Sequence, residues 1–274
     1  RQKAVYTLPY KYDSFNPKDE VFVKVQFLLG HDMPWAKQGY PQFEEQLLVA
    51  SPSVAAPAIS QVAENAGKLE VSADADKAFQ TIKGEGFEVQ FDMKQGTINK
   101  LVYGGESVIV PGYGPRLNAF RAFVSNDNWC YQPWFANGLH NLKHRAENAQ
   151  VIKEKNGNVK ITCTVVSQAP NAARLQSKNG RYDSGIHTLE ENTDRPFGAD
   201  DFKFTTNQIW TIYPDGSIEL QAAITSNNPG IVLARLGYEM GVPAQYDRFA
   251  YYGRGPVDNY NDRKTGQFIE QFSS

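Results

Sequence analysis

The sequence predicts an all-β protein of the antiparallel β-sandwich class, and three observations predict it. Apolar and polar residues alternate with a period of two in several segments of strand length. Turn chemistry recurs between those segments, with Asp-Gly, Asn-Gly and Gln-Gly steps in "YPDGSI", "KNGNV" and "KQGT". The strand–turn spacing repeats without the strand–helix alternation that builds a parallel sheet.

The elements follow in order. "EVFVKVQFLL" (Glu20 to Leu29) sets Val21, Val23, Val25 and Phe27 against Phe22, Lys24 and Gln26, the pattern of a half-buried strand. "QFEEQLLVA" is its expected partner. The loop between them, "LGHDMPWAKQGYP", is punctuated by Gly30, Pro34, Gly39 and Pro41, and Trp35 is expected to anchor it against a neighbouring sheet. "SPSVAAPAIS" (Ser51 to Ser60) is small, Pro-bearing and uncharged, which is linker composition. A domain boundary is therefore placed near residue 52, giving domains 1–52 and 53–274. Beyond it come "KLEVSAD", "AFQTIKGEGFEVQFDMKQGTINKLVYGGESVIV", "VKITCTVVSQ", "ARLGYEMGVP" and "RFAYYGRG", all strand-like. "IWTIYPDGSIELQAAI" is the clearest hairpin. The main helical candidate is "NWCYQPWFANGLHNLKHRAEN".

Bulk properties narrow the function classes. The chain has 274 residues, enough for one large domain or two ordinary ones. It is 41% hydrophobic and 21% charged, which is globular composition. A net charge of -2 gives no reason to expect nucleic acid or an anionic membrane as partner. No apolar run reaches the length of a membrane-spanning helix. Cys130 and Cys163 allow one disulfide or two buried thiols. The start "RQKAVYTLPY" has neither an initiator Met nor a signal-type apolar core, and "FIEQFSS" stops just after a strand-like run. Both ends read as cut, so a larger parent protein is expected.

Three groups of residues invite a chemical reading. His140 and His144 stand four apart and would share a helix face, as metal ligands can, but no local Glu or Cys completes a site. In "GYGPRLNAFRAFVSNDNW", Arg116, Asn118, Arg121, Asn126, Asp127 and Asn128 interleave with Phe120, Phe123, Val124 and Trp129. Such side chains suit a sugar, with hydrogen bonds to hydroxyls and an aromatic face against the apolar side of the ring. They equally suit a buried loop tied by side-chain-to-backbone bonds. "YYGRGPVDNYNDR" lacks the spacing and the helix of a phosphate loop. Its Asp258 and Asp262, beside Arg254 and Arg263, read as a salt-linked turn rather than as a glycosidase pair set 5–10 Å apart across a cleft, a range taken as roughly that of known enzymes.

Taken together, "RLNAFRAFVSNDNW", "WFANGLHNL" and "YYGRGPVDNYNDRKTG" resemble the C-terminal part of glycoside hydrolase family 2 β-galactosidases, most similarly those of gut Bacteroidetes. The resemblance covers nearly the whole chain in collinear order. It implies the end of an immunoglobulin-like β-sandwich over 1–52. It also implies a large antiparallel super-sandwich, similar to galactose mutarotases, over 53–274 and truncated at its C-terminus. The family's catalytic glutamates lie on a TIM barrel upstream of residue 1, so no residue here inherits a catalytic role. The chain is expected to hold no metal or other cofactor, with Mg or Na assigned to the missing barrel.

The resemblance makes Arg121, Asn126, Asp127, Asn128 and Trp129 candidates for the substrate rim. Phe123 and Ser125 stand where the family has Pro and Asp. Gly253, Arg254, Gly255, Pro256, Asn259, Tyr260, Asp262 and Arg263 form a structural signature, with Asp258 and Asn261 in place of Glu and Pro. The implied role is a non-catalytic fragment of carbohydrate metabolism that supports the barrel and shapes the active-site mouth of a retaining β-galactosidase. The alternative is a carbohydrate-binding module with weak galactoside affinity. Mutarotase activity would need a His and a Glu on a concave face, and His187 with Glu239 are only formally available. The expected partners are the remainder of the enzyme and a galactoside. Exposed sandwich edges favour strand exchange or a homo-oligomer. A bacterial periplasm or cytoplasm is the implied compartment.

Overall fold

The structure is a computed structural model that describes residues 5, 7, 15–16, 19–51, 67–169, 174–176, 188–190, 201–260 and 262–274. They fall into two compact units, Arg1–Gln61 with Tyr246–Ser274, and Val62–Gln245. The boundary expected near residue 52 adjoins a stretch outside the described residues.

The first strands are β1 (Val21–Leu28) and β2 (Pro41–Ala50), paired antiparallel as the alternation predicts. Their loop is tied internally. Asp32 accepts the Gln38 N–H at 2.9 Å and the Lys37 ammonium at 2.7 Å. Trp35 does not reach a neighbouring sheet. It is exposed and meets Tyr40 of its own loop edge-on at 5.8 Å. The expected half-burial of β1 also fails at Phe27, which is 61% exposed beside Phe43. Phe27 stands near the loop end of the hairpin, where its ring pairs with that of Phe43, itself 54% exposed, at 5.9 Å.

The second unit is a sandwich of two antiparallel sheets. The first sheet runs β3 (Glu70–Ala73), β4 (Phe79–Gly84), β5 (Phe87–Asp92), β6 (Thr97–Tyr103) and β7 (Glu106–Ser107) in sequential order. The chain continues through β8 (Arg116–Asn118), the short helix α1 (Tyr131–Ala136), β9 (Lys143–Lys153) and β10 (Val159–Gln168). After the small pair β11 (Arg174–Gln176) and β12 (Thr188–Glu190) come β13 (Lys203–Ile212), β14 (Ile218–Ser226) and β15 (Gly237–Glu239). The second sheet has the order β14-β13-β10-β9. Alternation fills the space between the sheets. Ile82, Val89, Phe91 and Ile98 of one face Val159, Ile161, Val165, Trp210 and Ile212 of the other. Phe91 meets Trp210 edge-on at 5.7 Å, a favoured aromatic geometry. The predicted "YPDGSI" hairpin joins β13 to β14. Asp215 accepts the Ser217 N–H at 2.8 Å, and Gly216 takes the left-handed φ of +88° that the turn requires.

The helical candidate shrinks to the six residues of α1. Asn137-Gly138 ends it, with Gly138 at a φ of +67°. From Lys143 onward the pattern is strand-like, with Lys143, Arg145 and Glu147 facing out between His144 and Ala146. α1 seeds a second core in which Tyr131, Trp134 and Phe135 pack with Leu117, Leu139, Phe202 and Phe204. Both cysteines are buried free thiols, and burial pushes the Cys163 thiol up to about 11.

The chain ends with β16 (Ala250–Gly255) and β17 (Phe268–Ser273), an antiparallel hairpin within the first unit. The Gln46 amide of β2 bonds both backbone groups of Ile269, donating to its carbonyl at 3.0 Å and accepting from its N–H at 2.8 Å. Lys24 lies over the Phe268 ring at 4.5 Å and 3.7 Å from Glu270.

Gly114 marks a close approach in the second unit. A Cβ there would sit 1.7 Å from the Ile98 carbonyl oxygen. Gly114→Ala should cost about 3 kcal/mol or more in urea unfolding, whereas Gly237→Ala, with open space around it, should change stability little.

Candidate rim loop and signature turn

The loop after β8 is built around one buried carboxylate. Asp127 is the only acid between Gly112 and Trp129. It forms a bidentate pair with Arg121, at 2.7 Å from Nη1 to Oδ2 and 3.0 Å from Nη2 to Oδ1. Oδ2 also accepts the Val124 N–H at 2.8 Å, at the start of a 3-10 turn over Ser125–Asp127. Arg121 Nη1 further donates to the Ala122 carbonyl at 2.9 Å. Burial works to raise the Asp127 pKa, but the Arg121 hydrogen bonds, the Val124 N–H and the Arg121 charge outweigh it, and the net shift is downward.

The rest of the loop faces solvent. Asn126 and Asn128 are exposed, and Trp129 is 69% exposed. Arg121 and Asp127 are thus the loop's internal clasp, while Asn126, Asn128 and Trp129 offer polar and aromatic groups to the outside. Phe123 stacks on Tyr131 with ring centroids 4.3 Å apart and planes 13° apart. That contact ties the loop's entry to α1.

A residue that the sequence reading left out stands beneath this clasp. Trp134 of α1 is 1% exposed, and its ring lies 5.9 Å from the Arg121 guanidinium. Its indole N–H donates to the Val232 carbonyl at 2.7 Å. Nothing in local spacing signals this bond, since its partners lie 98 residues apart in the chain.

The signature turn is organised by backbone capping. Arg254 donates to the carbonyls of Lys264 and Gln267, at 3.2 and 2.9 Å. Asn259 donates to the carbonyls of Arg254 and Val257. The Gly255–Pro256 bond is cis, and Gly255 packs so closely that an added Cβ would meet the Tyr251 hydroxyl. Gly253 lies in β16, and Tyr260, Asp262 and Arg263 are exposed on the connection to β17. The expected salt link is not formed: among the described residues neither Asp258 nor Asp262 pairs with an arginine, because Arg254 is spent on carbonyls. Asn261 lies outside the described residues. A groove of about 720 Å³ in the same unit is lined by Phe22, Gln46, Arg254, Gln267 and Phe268 among others.

His140 and His144 do not share a helix face. His140 is in a 3-10 turn against Phe120 and Phe135, and His144 is in β9. His144 Nδ1 is 2.9 Å from the Ser167 hydroxyl, beside a cavity of about 10 Å³ bounded by Thr97, Arg116, Val165 and Gln208. Burial, with Arg116 and Lys143 nearby, lowers its pKa to about 4. Glu239 bonds Asn118, and His187 lies outside the described residues. Among the described residues no group of three His, Cys, Asp or Glu is placed to hold a metal ion, and no helix is long and apolar enough to cross a membrane.

Two outcomes follow from these pairings. Asp127→Ala should cost about 1–3 kcal/mol in urea unfolding by removing the bidentate partner of Arg121 and the acceptor of the Val124 N–H, and Arg121→Met with Asp127→Leu together should recover part of it. The folded state holds His144 neutral down to about pH 4, while an unfolded histidine protonates near its usual value of 6.5. The unfolded chain therefore binds the extra proton in that window, and stability should fall by roughly 2–3 kcal/mol as pH drops through it. His144→Gln should remove that slope in urea midpoints measured across the window.

Comparison with known proteins agrees with this architecture. Residues 83–274 match the family model described as "Beta galactosidase small chain". The chain is 24% identical over 261 residues to a β-galactosidase of Priestia megaterium, covering 95% of this chain and 22% of that protein. It is 25% identical over 283 residues to a β-galactosidase of Psychromonas ingrahamii, with 96% and 23% covered. A β-galactosidase of Halalkalibacterium halodurans is 25% identical over 291 residues, with 100% and 24% covered. The chain thus spans less than a quarter of the length of these relatives. With its antiparallel sandwich and its family match over most of the residues, the chain belongs to the β-galactosidase small-chain family.

Proposed function

We propose that this chain is the non-catalytic C-terminal part of a retaining β-galactosidase, where it supports the catalytic barrel and forms part of the active-site mouth. The observation that carries this reading is the state of Asp127. The loop's only acid is locked to Arg121, while Asn126, Asn128 and Trp129 stay outward. Such a loop can hold a sugar by hydrogen bonds and stacking, but it offers no free carboxylate to protonate a leaving group or attack an anomeric carbon. Both catalytic carboxylates, and any Mg²⁺ or Na⁺, belong in this reading to the barrel. The signature turn then serves a structural role, with Arg254 and Asn259 closing the connection between β16 and β17.

A second reading, a carbohydrate-binding module, draws support from the exposed Trp129 beside two asparagine amides. Aromatic and amide groups on a fixed loop are enough to bind a galactoside weakly without the barrel.

One set of assays separates the two. The chain alone should give no turnover of a chromogenic β-galactoside, and adding the remainder of the enzyme should restore it. Turnover by the repurified chain alone would overturn the non-catalytic assignment. Galactose and lactose titrated on the order of tens of millimolar should leave the isolated chain unchanged; saturable binding there would favour the module.

A further inference from the structure

We propose that Trp134 is a positioning residue for the rim loop: its indole, fixed in the second core, is the plate that sets the Arg121 guanidinium and through it Asn126, Asn128 and Trp129. The proposal rests on the reading that this loop meets the sugar. It adds a residue that lies away from solvent.

The argument starts from what the loop lacks. From Ala122 to Trp129 only Asp127 is buried. Phe123 adds two aromatic contacts at the loop's entry, stacking on Tyr131 and meeting Phe135 edge-on, and beyond it the exposed side chains give little packing to hold a conformation. The distal half is held at its end by buried Cys130 and α1, and between Ala122 and Trp129 its one buried side chain is Asp127, whose carboxylate is paired with Arg121. A guanidinium on a flexible stem is itself a poor anchor, because its side chain has about 2 kcal/mol of rotamer entropy to lose. The Trp134 ring beside it adds to its other contacts in limiting that freedom. Indole is the best aromatic partner for a cation, and 5.9 Å to the ring centroid is within the attractive range.

The plate itself cannot slide. Trp134 packs among Leu117, Tyr131, Phe135 and Phe204, and its N–H is bonded to the Val232 carbonyl at 2.7 Å. That bond fixes the ring's rotation as well as its depth. Four links then run from a backbone carbonyl to the exposed tip: Val232 to Trp134, Trp134 to Arg121, Arg121 to Asp127, and Asp127 to the Val124 N–H. Phenylalanine at 134 would fill much of the same space while removing the N–H and weakening the attraction to the cation. It would loosen the loop and leave the core largely intact.

The test uses the intact β-galactosidase that contains this chain. Trp134→Phe should raise KM for a galactoside about three- to tenfold and leave kcat within about twofold, because ordering the loop strengthens binding rather than chemistry. Arg121→Lys should act in the same direction, and the double variant should be less than additive because both act through one relay. Trp210→Phe is the control. Trp210 is equally buried and also donates its N–H, to Gln208 at 2.8 Å, but it lies in the sandwich core. It should lower Tm without moving KM. If Trp134→Phe lowers Tm and leaves KM unchanged, as the control does, Trp134 is only a core residue and the proposal falls. Trp129→Ala tells the two failures apart. A raised KM there with none at Trp134→Phe keeps the rim and overturns the positioning role. No change at either overturns the rim reading and the proposal with it.

Discussion

The second unit depends on two sheets meeting face to face. The facing strands supply apolar residues at most alternate positions, although β13 also buries Thr206 and Gln208 on its inner face. Val159, Ile161, Cys163 and Val165 of β10 show the constraint at its tightest, since the strand is paired on both edges and buried along one face. A register slip of one residue would turn Lys160, Thr162 and Thr164 inward. At roughly 1.5–3 kcal/mol for each large apolar side chain buried, no surface pairing in this chain competes with that term. It fixes where β9 and β13 lie, and β13 carries Phe204 into the second core.

The second core carries that rigidity to the loop after β8. α1 is too short to be stable by itself, and a helix of this length persists only through tertiary packing. Its three aromatic residues are buried against β8 and the first residues of β13, so the loop above it inherits a fixed floor. A buried ion pair adds little net stability against an apolar alternative. Its contribution at Arg121–Asp127 is geometric: one backbone arrangement satisfies both carboxylate oxygens and the Val124 N–H together.

Much of this was legible in the sequence because the signals are local. Alternation and turn residues identified β1, β2, β5, β6, β13 and β14, and Asp-Gly fixed the β13–β14 hairpin. The misreadings were at places decided by tertiary neighbours. The helical pattern through His144 failed because Gly138 stops the helix and β10 recruits the following residues as a strand. The expected Asp–Arg link in the signature turn failed because carbonyls left unpaired by the turn compete for the same guanidinium. Arg121 and Asp127 stand out in the sequence as polar groups among aromatics, but nothing in their spacing pairs them with each other rather than with solvent. The Trp134 hydrogen bond has no local signal because its acceptor, Val232, comes from a distant segment.

The Gln46 clasp on Ile269 has a consequence for self-association. A glutamine side-chain amide carries the same donor and acceptor as a peptide unit, so it occupies both ladder positions of Ile269 as a neighbouring strand would. Each bond has a net strength of about 0.5–1.5 kcal/mol, which is small. Its effect lies in competition: a strand from another molecule must displace the amide before it can extend the sheet at that point. Among the described residues β17 pairs with no strand but β16, so the amide acts as a one-residue plug that hinders pairing with another molecule at Ile269.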